Sequence, residues 1–175
     1  MKPRMLVIAP ETGGHCPFYL SMIVEALDHY DIFILGEESD CMLQDHLARR
    51  KLNPENYTWI FLTKNSSSSL IDHSIEVIKK HTIDNVFFAY LDNYIAALLS
   101  LSDTYPAIVS GIWFHPYALD EKYRWIPPLE KRATYRGRVH RMLKARNQAI
   151  KFSHIFFLVP ECVTRFKKIA PDIPC

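Results

Sequence analysis

No apolar run in this chain approaches the length of a bilayer span; even the longest, such as Ile155 to Pro160, falls far short. The amino end lacks the apolar stretch and small-residue cleavage site of a secretory leader, so the expected compartment is the cytoplasm. Cysteine is scarce: Cys16, Cys41, Cys162 and Cys175 show neither a Cys-x-x-Cys pair nor Cys/His ligand spacing. That supports neither a disulfide framework nor a zinc site, and free thiols are expected. The Gly-x-Gly-x-x-Gly and P-loop patterns are missing too, which argues against a dinucleotide dehydrogenase or an ATPase. With 49% hydrophobic and 23% charged residues, the composition excludes disordered and collagen-like chains. A length of 175 residues suits one domain with a core of its own, residues 1–175.

What the chain does contain is alternation. Met5 to Ala9 is a short apolar run, the pattern of a strand buried on both faces, and Pro10 cannot continue a central ladder. Gly13 and Gly14 open backbone conformations closed to other residues, and Pro17 suits a first helical turn, so a helix is predicted from near His15 to Pro17. Its apolar positions Leu20, Ile23, Val24 and Leu27 recur at helical spacing. A glycine turn at a helix N-terminus favours an anionic group such as phosphate, and a tight turn without a ligand is equally open.

Further strands are predicted over Asp31 to Leu35, closed by Gly36, then Tyr57 to Leu62, Ile83 to Tyr90, Pro106 to Phe114 and Ser153 to Val159. Helices are predicted between them: Glu37 to Arg50, Leu70 to His81, Asn93 to Leu101, a basic one from Arg138, and Glu161 to Ile169. Lys64 to Ser69 reads as a flexible loop, and Ala118 to Arg138 as an ordered one. The alternation predicts an α/β fold: a Rossmann-like parallel sheet of about six strands with helices on both faces. Ligands of such sheets bind outside the carboxyl ends of the strands. The segments there are Glu11 to Cys16, Leu91 to Asn93 and His115 to Tyr117.

Residues 121–151 hold ten Lys or Arg against two acids, whereas the whole chain is only +2. Arg124, Lys131, Arg132, Arg136, Arg138 and Arg141 belong to this segment, with Tyr123, Trp125 and Tyr135 interleaved. An anionic membrane surface and a phosphorylated ligand both suit it, as does a solvated basic helix face. No nucleic-acid module accompanies the charge, so nucleic acid is not an expected partner.

The run Ile8-Ala9-Pro10-Glu11-Thr12-Gly13-Gly14-His15, followed by an amphipathic helix, resembles the opening of bacterial GT-B glycosyltransferases of the family-4 type. Its Thr-Gly-Gly-His core is also similar to the first glycine loop of the peptidoglycan N-acetylglucosaminyltransferase. Val86 to Asp92 resembles the strand that such enzymes end with an acidic residue at the cleft, and Pro106 to His115 the next strand, closed by a histidine. Ser153 to Glu161 resembles the last strand before the interdomain linker. The resemblance implies an acceptor-side, N-terminal domain whose donor-binding partner domain is absent. Alone it would be inactive; with a second domain or subunit it would move a sugar from a nucleotide-sugar donor to a glycan or lipid-linked acceptor, in the cytoplasm or peripherally at the inner face of the membrane.

Within that reading, Glu11, Thr12, Gly13, Gly14, Asn93 and Tyr117 are substrate-binding candidates, and His15, Asp92 and His115 catalytic ones. His15 either assists proton transfer or caps a helix; Asp92 either acts on an acceptor hydroxyl or caps the helix after it. His115 carries the same pair of options, catalytic or structural. No Asp-x-Asp motif is present, which fits metal-independent chemistry, and no metal or cofactor is expected. The alternatives are a non-enzymatic flavodoxin-like binding or regulatory module and a membrane-surface adaptor using residues 121–151.

Overall fold

In the computed structural model of the chain, the residues described are 2–9, 16–37, 41–62, 69–114, 139–141, 143 and 150–175. They form a six-stranded parallel sheet flanked by helices, in the order β3-β2-β1-β4-β5-β6. The chain divides into two compact units, residues 1–89 and 90–175.

The first unit holds β1 (Arg4–Ile8), α1 (Cys16–Ala26), β2 (Asp31–Glu37), α2 (Cys41–Arg49), β3 (Thr58–Leu62), α3 (Leu70–His81) and β4 (Asn85–Phe88). β1 lies between β2 and β4 and pairs in parallel with both, Leu6 opposite Phe33 on one side and Val86 on the other. Met5 to Ala9 are buried, as a central strand's unbroken apolar run requires. In α1, Leu20 and Val24 are buried, and Ser21 beside them donates its hydroxyl to Phe18 O at 2.7 Å. That bond satisfies a polar group which would otherwise cost free energy in the core. Arg50 and Glu25 form a partly exposed ion pair joining the ends of α2 and α1, a contact of the kind worth about 1 kcal/mol or less.

Two of the differences from the sequence reading adjoin Gly36. Gly36 does not close β2; it sits inside the strand opposite Phe61, because the ladder with β3 continues to Glu37 and Leu62. The helix predicted from Glu37 begins at Cys41 instead, with Leu43 and Leu47 buried one turn apart. By contrast α3 runs over the predicted Leu70–His81; where helical spacing suggests Leu70, Ile71, Ser74, Ile75 and Ile78 as the inward face, the buried residues are Ile71, Ser74, Val77 and Ile78.

The ends of α3 explain its bounds. The Ser69 hydroxyl oxygen accepts the Asp72 N–H at 3.2 Å while Asp72 Oδ2 accepts the Ser69 N–H at 3.2 Å, a reciprocal capping box. At the other end Thr82 takes a left-handed conformation, φ 52°, and both its N–H and that of Ile83 reach the Ile78 carbonyl.

The second unit contains α4 (Leu91–Leu99), β5 (Ile108–Trp113), β6 (Lys151–Phe157) and α5 (Pro160–Ile169). Its core is aromatic: Trp113 stacks on Phe157 at 5.9 Å between centroids and meets Phe166 of α5 edge-on at 5.7 Å. The β5–β6 register shifts between Val109, opposite Phe152, and Gly111, opposite Ile155, so β6 carries one extra residue. The tail after α5 turns back, and its Pro174 carbonyl accepts the Ile155 N–H at 2.9 Å. One polar group of the outermost strand is thereby paired.

Candidate functional site

The order of the strands reverses direction at β1 and β4, and in open α/β sheets the crevice outside the carboxyl ends at such a point is the default ligand position. Both strand ends are firmly held. Ala9 N–H donates to Leu35 O at 2.9 Å, and Ala89 N–H donates to Ile8 O at 3.0 Å, so β1 is paired on both sides up to its last residue. The next described element is α1, starting at Cys16 with Pro17 in its first turn, as the missing proline N–H favours. Glu11, Thr12, Gly13, Gly14 and His15 occupy the intervening sequence and lie outside the described residues. So do His115, Tyr117, Arg124, Lys131, Arg132, Arg136 and Arg138. Of the sequence-predicted site residues, Asp92, Asn93 and Arg141 are described.

The helix after β4 starts at Leu91, two residues earlier than predicted, and Tyr90 takes the cap position without a side-chain cap bond. Asp92 is therefore within the first helical turn, which corrects the expectation that it caps a helix from outside. Asp92 is 3% exposed, and its Oδ1 accepts the backbone N–H of Phe114 at 3.1 Å. Phe114 is the residue just past β5, and its ring stacks on Tyr90 at 4.2 Å and 26°. Asp92 and Tyr90 together fix where the chain leaves β5, one residue ahead of His115. A carboxylate in the first turn also gains from the helix dipole, which offsets part of the cost of burying it. A general base must lie within hydrogen-bond reach of the hydroxyl it deprotonates. Through its bond to the Phe114 N–H, the Asp92 carboxylate positions the end of β5.

Asn93 is exposed in the same turn, and its N–H is bonded to Tyr90 O at 3.2 Å. Arg141 is helical and exposed, whereas Val139 and Leu143 are buried; Ile150, also predicted on the helix, lies just before β6. Neither Cys162, which is buried, nor Cys175, which is half-buried, is in a disulfide. Among the described residues no group of three His, Cys, Asp or Glu side chains is placed to hold a metal ion, and no helix is long and apolar enough to cross a membrane.

Sequence reasoning missed one concavity. A groove of about 530 Å³ runs between β3 and α3, lined among others by Trp59, Phe61, His73, Glu76, Lys80 and His81. The signal was legible as His73, Glu76, Val77 and Lys80 at helical spacing, a mixed polar stripe beside the buried one.

No protein-family model matches the chain, and no curated protein matches it. Among solved structures it is similar to the acetoin dehydrogenase YohF from Salmonella typhimurium, with 11% identity, a TM-score of 0.42, and coverage of 83% of this chain and 66% of that one. The class rests on the protein's own strand order and parallel pairing: it is a Rossmann-like α/β protein.

Proposed function

We propose that this chain is the acceptor-side half of a sugar transferase, completed by a second domain or subunit that holds the nucleotide-sugar. The observation that carries the reading is where the motifs fall on the strands. Thr12-Gly13-Gly14-His15 lies in sequence between β1 and α1, at the reversal of strand order; Asp92 follows β4, and His115 follows β5. The order 3-2-1-4-5-6 is that of folds built from two mononucleotide-binding halves. It differs from the flavodoxin-like order, 2-1-3-4-5, so the topology does not favour the flavodoxin-like alternative.

In this reaction an acceptor hydroxyl attacks the anomeric carbon, the bond from that carbon to the diphosphate oxygen breaks, and the hydroxyl proton passes to a base. His15 and His115 are the candidates for that base, and Asp92 holds the strand end from which His115 follows. Glu11, Thr12, Asn93 and Tyr117 would orient the acceptor, while Gly13 and Gly14 allow close approach at the start of α1. The test is reconstitution: the chain is mixed with a donor-domain polypeptide, a nucleotide-sugar and a lipid-linked acceptor, and labelled product is measured. Transfer that needs both polypeptides, and that falls at least about a hundredfold in His15→Ala or His115→Ala, supports the reading. Saturable binding of a flavin to the chain alone, with no acceptor binding, would replace it with a binding module.

A further inference from the structure

The outermost strand of the first unit is β3, at one end of the sheet order. β3 ends the sheet, so among the described residues nothing pairs with its outer side. Alternate residues of an edge strand turn their N–H and C=O groups outward, ready for an incoming backbone. Proteins usually protect such an edge with lysine, proline or a bulge. The sequence Thr58-Trp-Ile-Phe-Leu62 has none of these protections, and Phe61 is 40% exposed. Trp59 and Phe61 stack near-parallel at 6.3 Å, presenting an apolar ledge along the strand.

The second wall is α3. His73, Glu76 and Lys80 face the groove in successive turns, and the roughly 530 Å³ between helix and strand is the size of a ligand site rather than a packing defect. Charge is uneven along it. His73 Nδ1 is 3.7 Å from Glu76 Oε2, so the acid has a neighbour, whereas Lys80 has no ion-pair partner among the described residues. Lys79 adjoins Lys80 on the same helix, and Arg4 bonds the His81 carbonyl at that end. The groove thus combines an open backbone edge, an apolar ledge and a basic end.

We infer that the β3–α3 groove binds an extended peptide segment of a partner protein, added as a strand to β3, with an acidic side chain of that segment set against Lys80. Main-chain bonds to the edge supply affinity, and the ledge and Lys80 supply specificity, the division of labour in strand-addition recognition. This site is separate from the carboxyl-end crevice and does not depend on the sugar-transfer reading.

The experiment uses the full chain and a short fluorescein-labelled peptide alternating valine and threonine with one glutamate, followed by fluorescence anisotropy. Comparison peptides carry lysine in place of glutamate, or N-methyl groups at alternate backbone amides. Saturable binding is expected for the glutamate peptide, abolished by N-methylation and weakened about fivefold by Lys80→Glu, a surface change that leaves the fold intact by circular dichroism. Equal binding of the lysine peptide, insensitivity to Lys80→Glu or to N-methylation, or no binding of any peptide would each overturn the inference. Sedimentation of the chain alone as a dimer that Phe61→Lys dissociates would also overturn it, by assigning the edge to a second copy.

Discussion

At the scale of single residues, Asp92 shows how a chemically suggestive side chain acquires a structural task. It follows a strand at the place where an acid is expected, yet its carboxylate is buried against the Phe114 amide. Asp92→Ala leaves that N–H without its partner and is expected to cost about 1–3 kcal/mol in denaturant unfolding. Asp92→Asn keeps an acceptor oxygen and should recover most of the loss. In the reconstitution assay of the proposed sugar transfer the same Asn variant should retain activity; an Asn variant that folds normally but is inactive would restore Asp92 to the reacting groups. Tyr57 gives a pH prediction. Its phenol is held above its ordinary range, first by burial and then by the negative charge of Glu25. A raised folded-state pKa means that the native chain keeps this proton longer than the unfolded one. The contribution is complete below about pH 10 and is lost as pH rises through the folded value. Tyrosinate absorbance should therefore show a late-titrating tyrosine that moves earlier in Glu25→Gln, and Tyr57→Phe should flatten the alkaline loss of stability.

At the scale of elements, α3 is the clearest case of sequence dictating bounds. Leu70–His81 was legible because its apolar positions repeat at helical spacing, whereas Ser69, read with the preceding loop, proved to be the helix cap. Ser69→Ala should cost about 1 kcal/mol by thermal or urea unfolding, because the hydroxyl that accepts the Asp72 N–H and donates to Asp72 Oδ2 is lost, while the Ser69 N–H keeps its bond to that carboxylate. Thr82 does the opposite: a β-branched residue at φ 52° stores strain that glycine would not. Thr82→Gly should stabilise the chain by up to about 1 kcal/mol; a loss of stability would show that the threonine side chain contributes more than its backbone strain costs. Other ends were less legible. Gly36 reads locally as a terminator, but the ladder to Phe61 holds it in the strand, and no local pattern reports a partner strand. The same holds for the extra residue of β6, which appears only in its register against β5.

At the scale of the molecule, the asymmetry of charge is a property of the chain rather than of any one contact. If residues 121–151 dock on an anionic bilayer, vesicle binding should rise with anionic lipid and fall with salt, and Arg141→Glu should weaken it by about 1 kcal/mol or more. Sedimentation unaffected by lipid charge would remove that role. The α/β class, the alternation of elements, the segments at the strand ends and the basic stretch were all determined by sequence, because each depends on local periodicity or on residue counts. Tertiary structure alone decided the strand order, which places β1 beside β4 and leaves β3 as an edge. It also decided that the Asp92 carboxylate binds the Phe114 amide instead of capping its helix from outside, and that α3 and β3 enclose a groove. These depend on which segments meet across long stretches of chain, and a one-dimensional pattern carries the faces of elements but not the neighbours those faces find.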